Sequence, residues 1–446
     1  MTTSTAPIAT VPGPQSLATF AAESEFAAPG TQGVALFSRL AFDRGEGAIL
    51  WDRDGNRYID LMAGICVASL GYGHPKYVAA LQKQVARLHV GSFATAHRAE
   101  LVKLIASITP GDCNRTQFYS SGAEAVEAAL RLAKSHTKKT EVIAFWGGYH
   151  GKTGGVLPLL GGPFKHDLGP LMPGCYLSPY ASPSRDEFNS ASPQECLQRA
   201  IHFLRRKIQL ETTNNVAAII VEPIQGTAGN IVPAPGFLRE LRKLADELGA
   251  VLIADEMITG FGRTGKLFGV EHDGIVPDIM TVGKAFGGGF PMSGVIATEK
   301  VAFSMPWANP SGSSSSYGGN PLASAAALAA ISITLEEDLP SRAHRIGEKM
   351  LAVMRAWEGD IPIVRDVRGR GLMIGMDLVH PATGKLLDRT ITREIFDALL
   401  ARGVLSMLYS PEVRINPPLV IEESDALEAL AIMEGVLRDA SERLVR

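Results

Sequence analysis

The stretch TVGKAFGGGFP, residues 281–291, decides how the chain is read. An apolar run, DIMTVG (278–283), leads into Lys284, and Gly287, Gly288 and Gly289 follow closely. Burying a lysine amine is costly unless it is paired, exposed at a strand tip or used covalently. VIAFW (142–146), VAAIIVE (216–222) and AVLIADE (250–256) are similar short apolar runs, several with β-branched residues. Between the second and third of these lies FLRELRKLADELG (237–249), apolar at helical spacing, with Gly249 near its C-cap. Strands that are apolar throughout and alternate with helices imply a mainly parallel sheet covered on both faces, hence an α/β domain.

Outward from that core the character changes. Residues 1–33 are rich in Ala, Thr, Ser, Pro and Gly with few charges and read as a flexible arm or a strap. The run GAILWDRDGNRYIDLMAG (47–64) reads as a hairpin turning at Asp54-Gly55. After about residue 335, charged helices flank VRDVRGRGLMIGMDL (364–378), whose alternation suggests an antiparallel strand. The expected division is an arm over 1–33, an N-terminal part of a small α+β domain over 34–75, a large domain over 76–335 and the rest of the small domain over 336–446.

The 446 residues are 46% hydrophobic and 20% charged, with a formal net charge of -3. Such a balance gives no electrostatic reason to expect nucleic acid or a membrane surface as partner. No stretch reaches the about 18 uninterrupted apolar residues of a membrane span, and the N-terminus lacks the pattern of a secretory signal. Cys66, Cys113, Cys175 and Cys196 are scattered without C-x-x-C pairing, so reduced thiols in a cytoplasmic protein are expected rather than disulfides or a metal site.

In an open α/β sheet, ligands sit beyond the carboxyl ends of the strands. Three successive strands deliver a charge to that edge: Glu222, Asp255 and Lys284. SSGAEAVEAALRLAKSH (120–136) opens a helix at its serines and Gly122. Free N–H groups at Gly122 and Ala123 suit a phosphate, although Ser120 or Ser121 equally suits a simple N-cap. GGYHGKTGG (147–155) brings Tyr149 and His150 into a glycine-rich turn, where the aromatic either covers a planar ligand or plugs the core. A lysine able to form a Schiff base, an acidic partner for a pyridinium nitrogen, an aromatic lid and a phosphate cradle together point to pyridoxal phosphate. The G-x-x-x-x-G-K-[ST] loop of nucleotide enzymes is absent, and no G-x-G-x-x-G follows a first strand.

From about Gly45 to Leu419 the chain also resembles the class III pyridoxal-phosphate aminotransferases, the ornithine and 4-aminobutyrate type. The resemblance lies in nine collinear elements: LWDRDGNRYIDLMAG, LGYGHP, SSGAEAVEAAL, YHGKT, VEPIQG, ADEMITGFGRTG, TVGKAFGGGFP, SYGGNPLA and RINPPL. It implies the fold-type I transferase architecture and assigns roles by position. Lys284 is then the Schiff-base lysine, Asp255 sits against the pyridine nitrogen and Tyr149 stacks on the ring. Gly122 and Ala123 bind the phosphate through their amides, with Ser121 and Glu222 also in the cofactor-binding set. Ser316, where the family usually has threonine, reaches the phosphate of a neighbouring subunit and implies a homodimer. Arg414 falls on the family's carboxylate-gripping arginine, whose fork a lysine could not copy.

Three departures bear on substrate. Ile258 replaces a frequent glutamine and leaves an apolar contact beside the cofactor's 3-hydroxyl. Lys152 replaces a frequent arginine and would hold a second carboxylate as a point charge. Thr227 stands where members handling both ω-amines and dicarboxylates carry a glutamate that neutralises the C-terminal arginine. The expected activity is ping-pong transfer of an amino group from an ω-amino acid, diamine or similar primary amine to pyruvate or 2-oxoglutarate. Two alternatives stay open at this point: a racemase, epimerase or decarboxylating transaminase with the same cofactor, and a non-catalytic binding protein on the same fold.

Overall fold

The computed structural model describes residues 10–445. By its contacts the chain falls into two compact units, Met1–Pro75 with Ser341–Arg446, and Lys76–Pro340.

The first unit opens with an antiparallel meander of β1 (Phe42–Glu46), β2 (Ile49–Asp52) and β3 (Arg57–Asp60). Its turn follows the expected Asp-Gly chemistry. Asp52 Oδ1 accepts from the amides of Asp54 (3.0 Å) and Asn56 (2.8 Å), and Gly55 takes a φ of 87°. The same turn anchors part of the segment read as a flexible arm or a strap, because Pro14–Phe26 form a helix. The carboxylate of Asp54 accepts from the amides of Gln15 and Ser16, both at 2.8 Å, and so satisfies donors that a helix start leaves unpaired. Composition could not show that anchor, since it lies far along the chain. Residues 1–9 of the arm lie outside the described residues.

The second unit is built on seven strands: β4 (Cys113–Tyr119), β5 (Glu141–Phe145), β6 (Cys175–Ser178), β7 (Val216–Val221), β8 (Val251–Asp255), β9 (Ile279–Val282) and β10 (Ser293–Thr298). Their order is β4-β10-β9-β8-β7-β5-β6, with β10 antiparallel to both its neighbours and the other pairings parallel. Every residue of β5, β7, β8 and β9 is buried, as strands covered on two faces require. One face packs Ile143, Ile219, Leu252 and Met280 into a single apolar cluster; the other packs Val142, Ile220, Ile253 and Ile279 into a second.

Two helices of this unit matter for the site. Phe237–Leu248 buries Phe237, Leu238, Leu241 and Leu244 and ends as expected at Gly249 in the left-handed conformation. Gly122–Thr137 buries an alanine-rich face (Ala125, Ala128, Ala129, Ala133), which lets it lie close on the sheet.

The chain then returns to the first unit. The run 364–378, expected to hold one antiparallel strand, is two: β11 (Val364–Arg370) and β12 (Met373–Leu378), turning at Gly371 with φ 55°. A two-strand hairpin needs a left-handed residue at that point, and glycine supplies it. β13 (Val404–Leu405) lies parallel to β3, and β14 (Glu412–Ile415) pairs antiparallel with β12. Among the described residues no helix is long and apolar enough to cross a membrane.

Candidate active site

Lys284 directly follows β9 and Gly283, and opens a single tight turn, Lys284–Gly287. Its φ of 48° lies in the left-handed region, uncommon for a residue with a side chain. The glycines behind it are required by geometry. Gly288 and Gly289 have φ of 61° and 106°, and a Cβ on Gly288 would come within 2.9 Å of Tyr77 and Ala330. Lys284 is half-buried, yet its amine has no hydrogen-bond or ion-pair partner among the described residues.

Asp255 ends β8 and sits opposite Thr281 of β9, with only 2% of its surface exposed. Its Oδ1 accepts from the Thr281 hydroxyl at 3.1 Å and the Met257 amide at 3.2 Å, and its Oδ2 lies 2.7 Å from His150 Nδ1. Burial alone would lower the His150 pKa; the hydrogen bond and charge of Asp255, with Glu222 nearby, outweigh it and raise it. Glu222 spends its carboxylate on backbone donors: Oε1 accepts from the Tyr149 amide (2.8 Å) and Oε2 from the Gly226 amide (2.9 Å). Burial pushes Glu222 up to about 7; His150 and the two amides pull it down, while Asp255 adds to the rise.

The helix Gly122–Thr137 begins beside this group. Ser121 is its N-cap, with Oγ accepting from the Glu124 amide at 3.3 Å, and Glu124 reaches back to the Ser120 amide at 2.9 Å. The cap leaves the amides of Gly122 and Ala123 without an acceptor among the described residues. N-cap and anion cradle, which the sequence left as alternatives, are therefore compatible here. Ser293 of β10 donates to the Ser121 carbonyl at 2.7 Å, tying the helix start to the sheet.

Glycines bring the remaining pieces together. A Cβ on Gly122 would lie 3.2 Å from Met257 Sδ, so the helix start packs on the turn after Asp255. A Cβ on Gly151 would lie 2.5 Å from that of Ala123, so the turn carrying Tyr149 and His150 packs on the cradle.

Tyr149 is half-buried and meets Phe164 edge-on at 5.5 Å between ring centroids. Lys152 is exposed, with Nζ 5.7 Å from the Phe164 ring centre. Ile258 is buried in the turn that follows Asp255. Ser316 is exposed, and its carbonyl accepts from Ser92 Oγ at 3.2 Å. Arg414 lies in the first unit, on β14 opposite Gly375, and its charge opposes the burial that raises the Tyr409 phenol.

These residues fit pyridoxal phosphate. An amine without a partner, a buried carboxylate with acceptor capacity left and two open amides at a helix N-terminus match the aldehyde, ring nitrogen and phosphate of that molecule. Among the described residues no group of three or more His, Cys, Asp or Glu is placed to hold a metal ion. Sequence reasoning gave no role to His150, Met257, Thr281 or Ser293. Only His150 carried a usable signal, as a titratable group beside Tyr149; the others are ordinary core types until the strands are paired.

The family model for aminotransferase class-III matches residues 32–437. Acetylornithine aminotransferase from Methanopyrus kandleri is 41% identical over 397 residues, covering 88% of this chain and 93% of that protein. An (S)-enantioselective omega-transaminase from Thermomicrobium roseum, 29% identical, superposes with a TM-score of 0.88 over 95% of this chain and 98% of that one. An amine transaminase from an uncultivated Pseudomonas species, solved in its pyridoxal-phosphate-bound form, gives 29% identity and a TM-score of 0.86 over 94% and 99%.

Proposed function

The chain belongs to the class-III aminotransferase family, a pyridoxal-phosphate-dependent enzyme of fold type I, and from that premise we propose a donor, an acceptor and a role for each residue. The donor is a terminal primary amine on a chain whose far end bears a carboxylate, and the acceptor is 2-oxoglutarate or pyruvate. The observation that carries the assignment of roles is the unpartnered Lys284 amine at the same sheet edge as buried Asp255 and the open amides of Gly122 and Ala123.

Bound there, pyridoxal phosphate supplies a carbonyl that condenses with amines and a ring that takes up electrons released at the substrate carbon. Lys284 would hold the cofactor and, with its amine free, would move a proton at the substrate carbon through Nζ. Asp255 keeps a proton on the ring nitrogen, because a carboxylate can only accept there. Tyr149 covers the ring, its backbone fixed by Glu222. Gly122 and Ala123 hold the phosphate beside the Ser121 cap, and Ile258 offers an apolar contact at the ring edge.

Arg414 grips a carboxylate bidentately, and Lys152 attracts a second one by charge. The name of the Methanopyrus kandleri relative makes N-acetylornithine the first donor to test. A homodimer with Ser316 at the partner's phosphate fits the exposure of Ser316 and of the large side chains Phe93 and Tyr317, 65% and 63% exposed. A cytoplasmic setting fits four free cysteines.

A half-reaction screen tests the donor. Loss of the bound cofactor's visible absorbance is followed over a panel of amines without any acceptor. Terminal amines, N-acetylornithine among them, are expected to react, and reaction with α-amino acids alone would overturn the donor class. Racemisation of an amino acid with no keto acid present would overturn amino transfer as the main reaction.

A further inference from the structure

The stretch SGSSSSYGGN (311–320) is gripped at two points by the last two residues of β4. Ser313 is buried, residues 314–317 are exposed or half-buried, and Gly318 and Gly319 are buried again. On one side the Tyr119 phenol, 1% exposed, donates to the Ser313 carbonyl at 3.0 Å and meets Ser313 Oγ at 2.5 Å. Arg131, on the helix Gly122–Thr137, donates to the Gly312 carbonyl (3.3 Å) and to Ser313 Oγ (3.4 Å). On the other side, a Cβ on Gly318 would lie 2.1 Å from the Phe118 carbonyl oxygen, and one on Gly319 would lie 2.7 Å from the Phe118 ring. The residues from Ser314 to Tyr317 therefore stand out between two fixed points. Ser316 is one of them; Ser92 binds its carbonyl, and its hydroxyl has no partner among the described residues.

The hydrogen bonds at Ser313 form one consistent set. The phenol gives its single proton to the carbonyl, Ser313 Oγ–H donates to the phenol oxygen, and Arg131 donates to Ser313 Oγ. Burial raises the Tyr119 pKa against the Ser313 bond and the Arg131 charge, so the phenol keeps its proton. A phenylalanine would fill this core equally well, and what the hydroxyl adds is the hold on Ser313. Tyr119 also stands opposite Ser293, which donates to the Ser121 carbonyl at the start of the phosphate helix. One strand end thus supports both the cradle of its own chain and the loop that carries Ser316.

We infer that Tyr119 is a positioning residue for the neighbouring subunit's cofactor: by holding Ser313, it sets where Ser316 stands at that subunit's phosphate. The inference rests on the proposed homodimer in which Ser316 makes that contact. A hydrogen bond within one chain then acts on the cofactor held by the other.

Mixed dimers with a different tag on each chain separate the two contributions. One chain bears Lys284→Ala, so the visible absorbance of lysine-bound cofactor reports only the site whose own chain keeps Lys284. The apo mixed dimer is titrated with pyridoxal phosphate, and the dissociation constant is read from that absorbance. With Tyr119→Phe in the Lys284→Ala chain, the reporting site receives its loop from the altered chain and should bind about three- to tenfold more weakly. With Tyr119→Phe in the chain that keeps Lys284, the constant should match that of the mixed dimer lacking the change. Weakening in the second arrangement as large as in the first, or none in either, would overturn the inference. Ser316→Ala is measured in the same two arrangements. If it does not act from the opposite chain, or if no mixed dimer forms, the homodimer reading falls and the inference with it. If Ser316→Ala acts across the dimer and Tyr119→Phe does not, the inference alone fails. Should Tyr119→Phe not fold, Arg131→Met, at an exposed position, takes its place with the same outcomes required.

Discussion

The sulfur of Met257 fills the place beside Gly283 where a side chain would otherwise stand: a Cβ at residue 283 would lie 2.6 Å from it. The same thioether lies 3.2 Å from the corresponding position on Gly122. One flexible side chain thus spaces the Lys284 turn from the start of the phosphate helix. Gly283→Ala is expected to overpack this point and cost about 1–3 kcal/mol. Thermal melting of the apo-protein measures it. Met257→Ala in the same chain should recover part of the loss, because residues in contact couple; strict additivity of the two would show that they do not meet.

Lys284→Ala should lower turnover by about 10²–10⁴-fold or more while leaving the melting temperature of the apo-protein near the parent's. Lys284→Arg is the sharper control. Arginine keeps the charge but is not deprotonated in a protein, so it can neither condense nor shuttle a proton. Substantial turnover in the arginine variant would reduce Lys284 to an electrostatic contact.

Much of this site could be read from the order of residues, for a physical reason. A charge at the end of an all-apolar strand is conspicuous, and β7, β8 and β9 each lead to one: Glu222, Asp255 and Lys284. Contacts that depend on strand pairing left no such mark. Thr281 meets Asp255 only because β9 lies beside β8, and Ser293 meets Ser121 only through the packing of β10. β4 and β6 also went unread, being respectively polar in sequence (CNRTQFY) and very short (CYLS). The helix Pro14–Phe26 escaped because its anchor, Asp54, belongs to a different element.

Glu256 makes a pH prediction outside the chemistry. It is fully buried and accepts from the amides of Gly269 (2.9 Å) and Val270 (2.8 Å) and from Thr259. Burial outweighs these bonds and pushes its pKa from 4.5 up to about 7. A carboxyl whose folded pKa is raised contributes stability that is complete below 4.5 and is lost as the pH climbs through about 7. Glu256→Gln should therefore flatten the dependence of the unfolding free energy on pH across that window, by about 3 kcal/mol at most, as denaturant titrations at several pH values would measure. An unchanged slope would mean that Glu256 stays ionised throughout.

Arg414→Lys should raise the KM for the keto acid about tenfold and leave the KM for an amine donor without a carboxylate nearly unchanged, since the lost fork serves only carboxylates. Steady-state kinetics with both substrate types measures the split. Equal effects on the two would make Arg414 a structural residue. Lys152→Met should weaken 2-oxoglutarate more than pyruvate, and equal effects on both would remove Lys152 from the acceptor site.

The antiparallel strand β10 has one more consequence. Within the sheet β4 bonds to no strand but β10, although β4 is the earliest of the seven in the chain and β10 the last. On a growing polypeptide, β4 must therefore wait without a neighbour until residues 293–298 have been synthesised. The cradle that β4 leads into is tied to the sheet by Ser293, after Asp255 and Lys284 have already been made. Tight capture of the cofactor should thus be among the final events of folding, and its onset can serve as a clock for completion of the sheet.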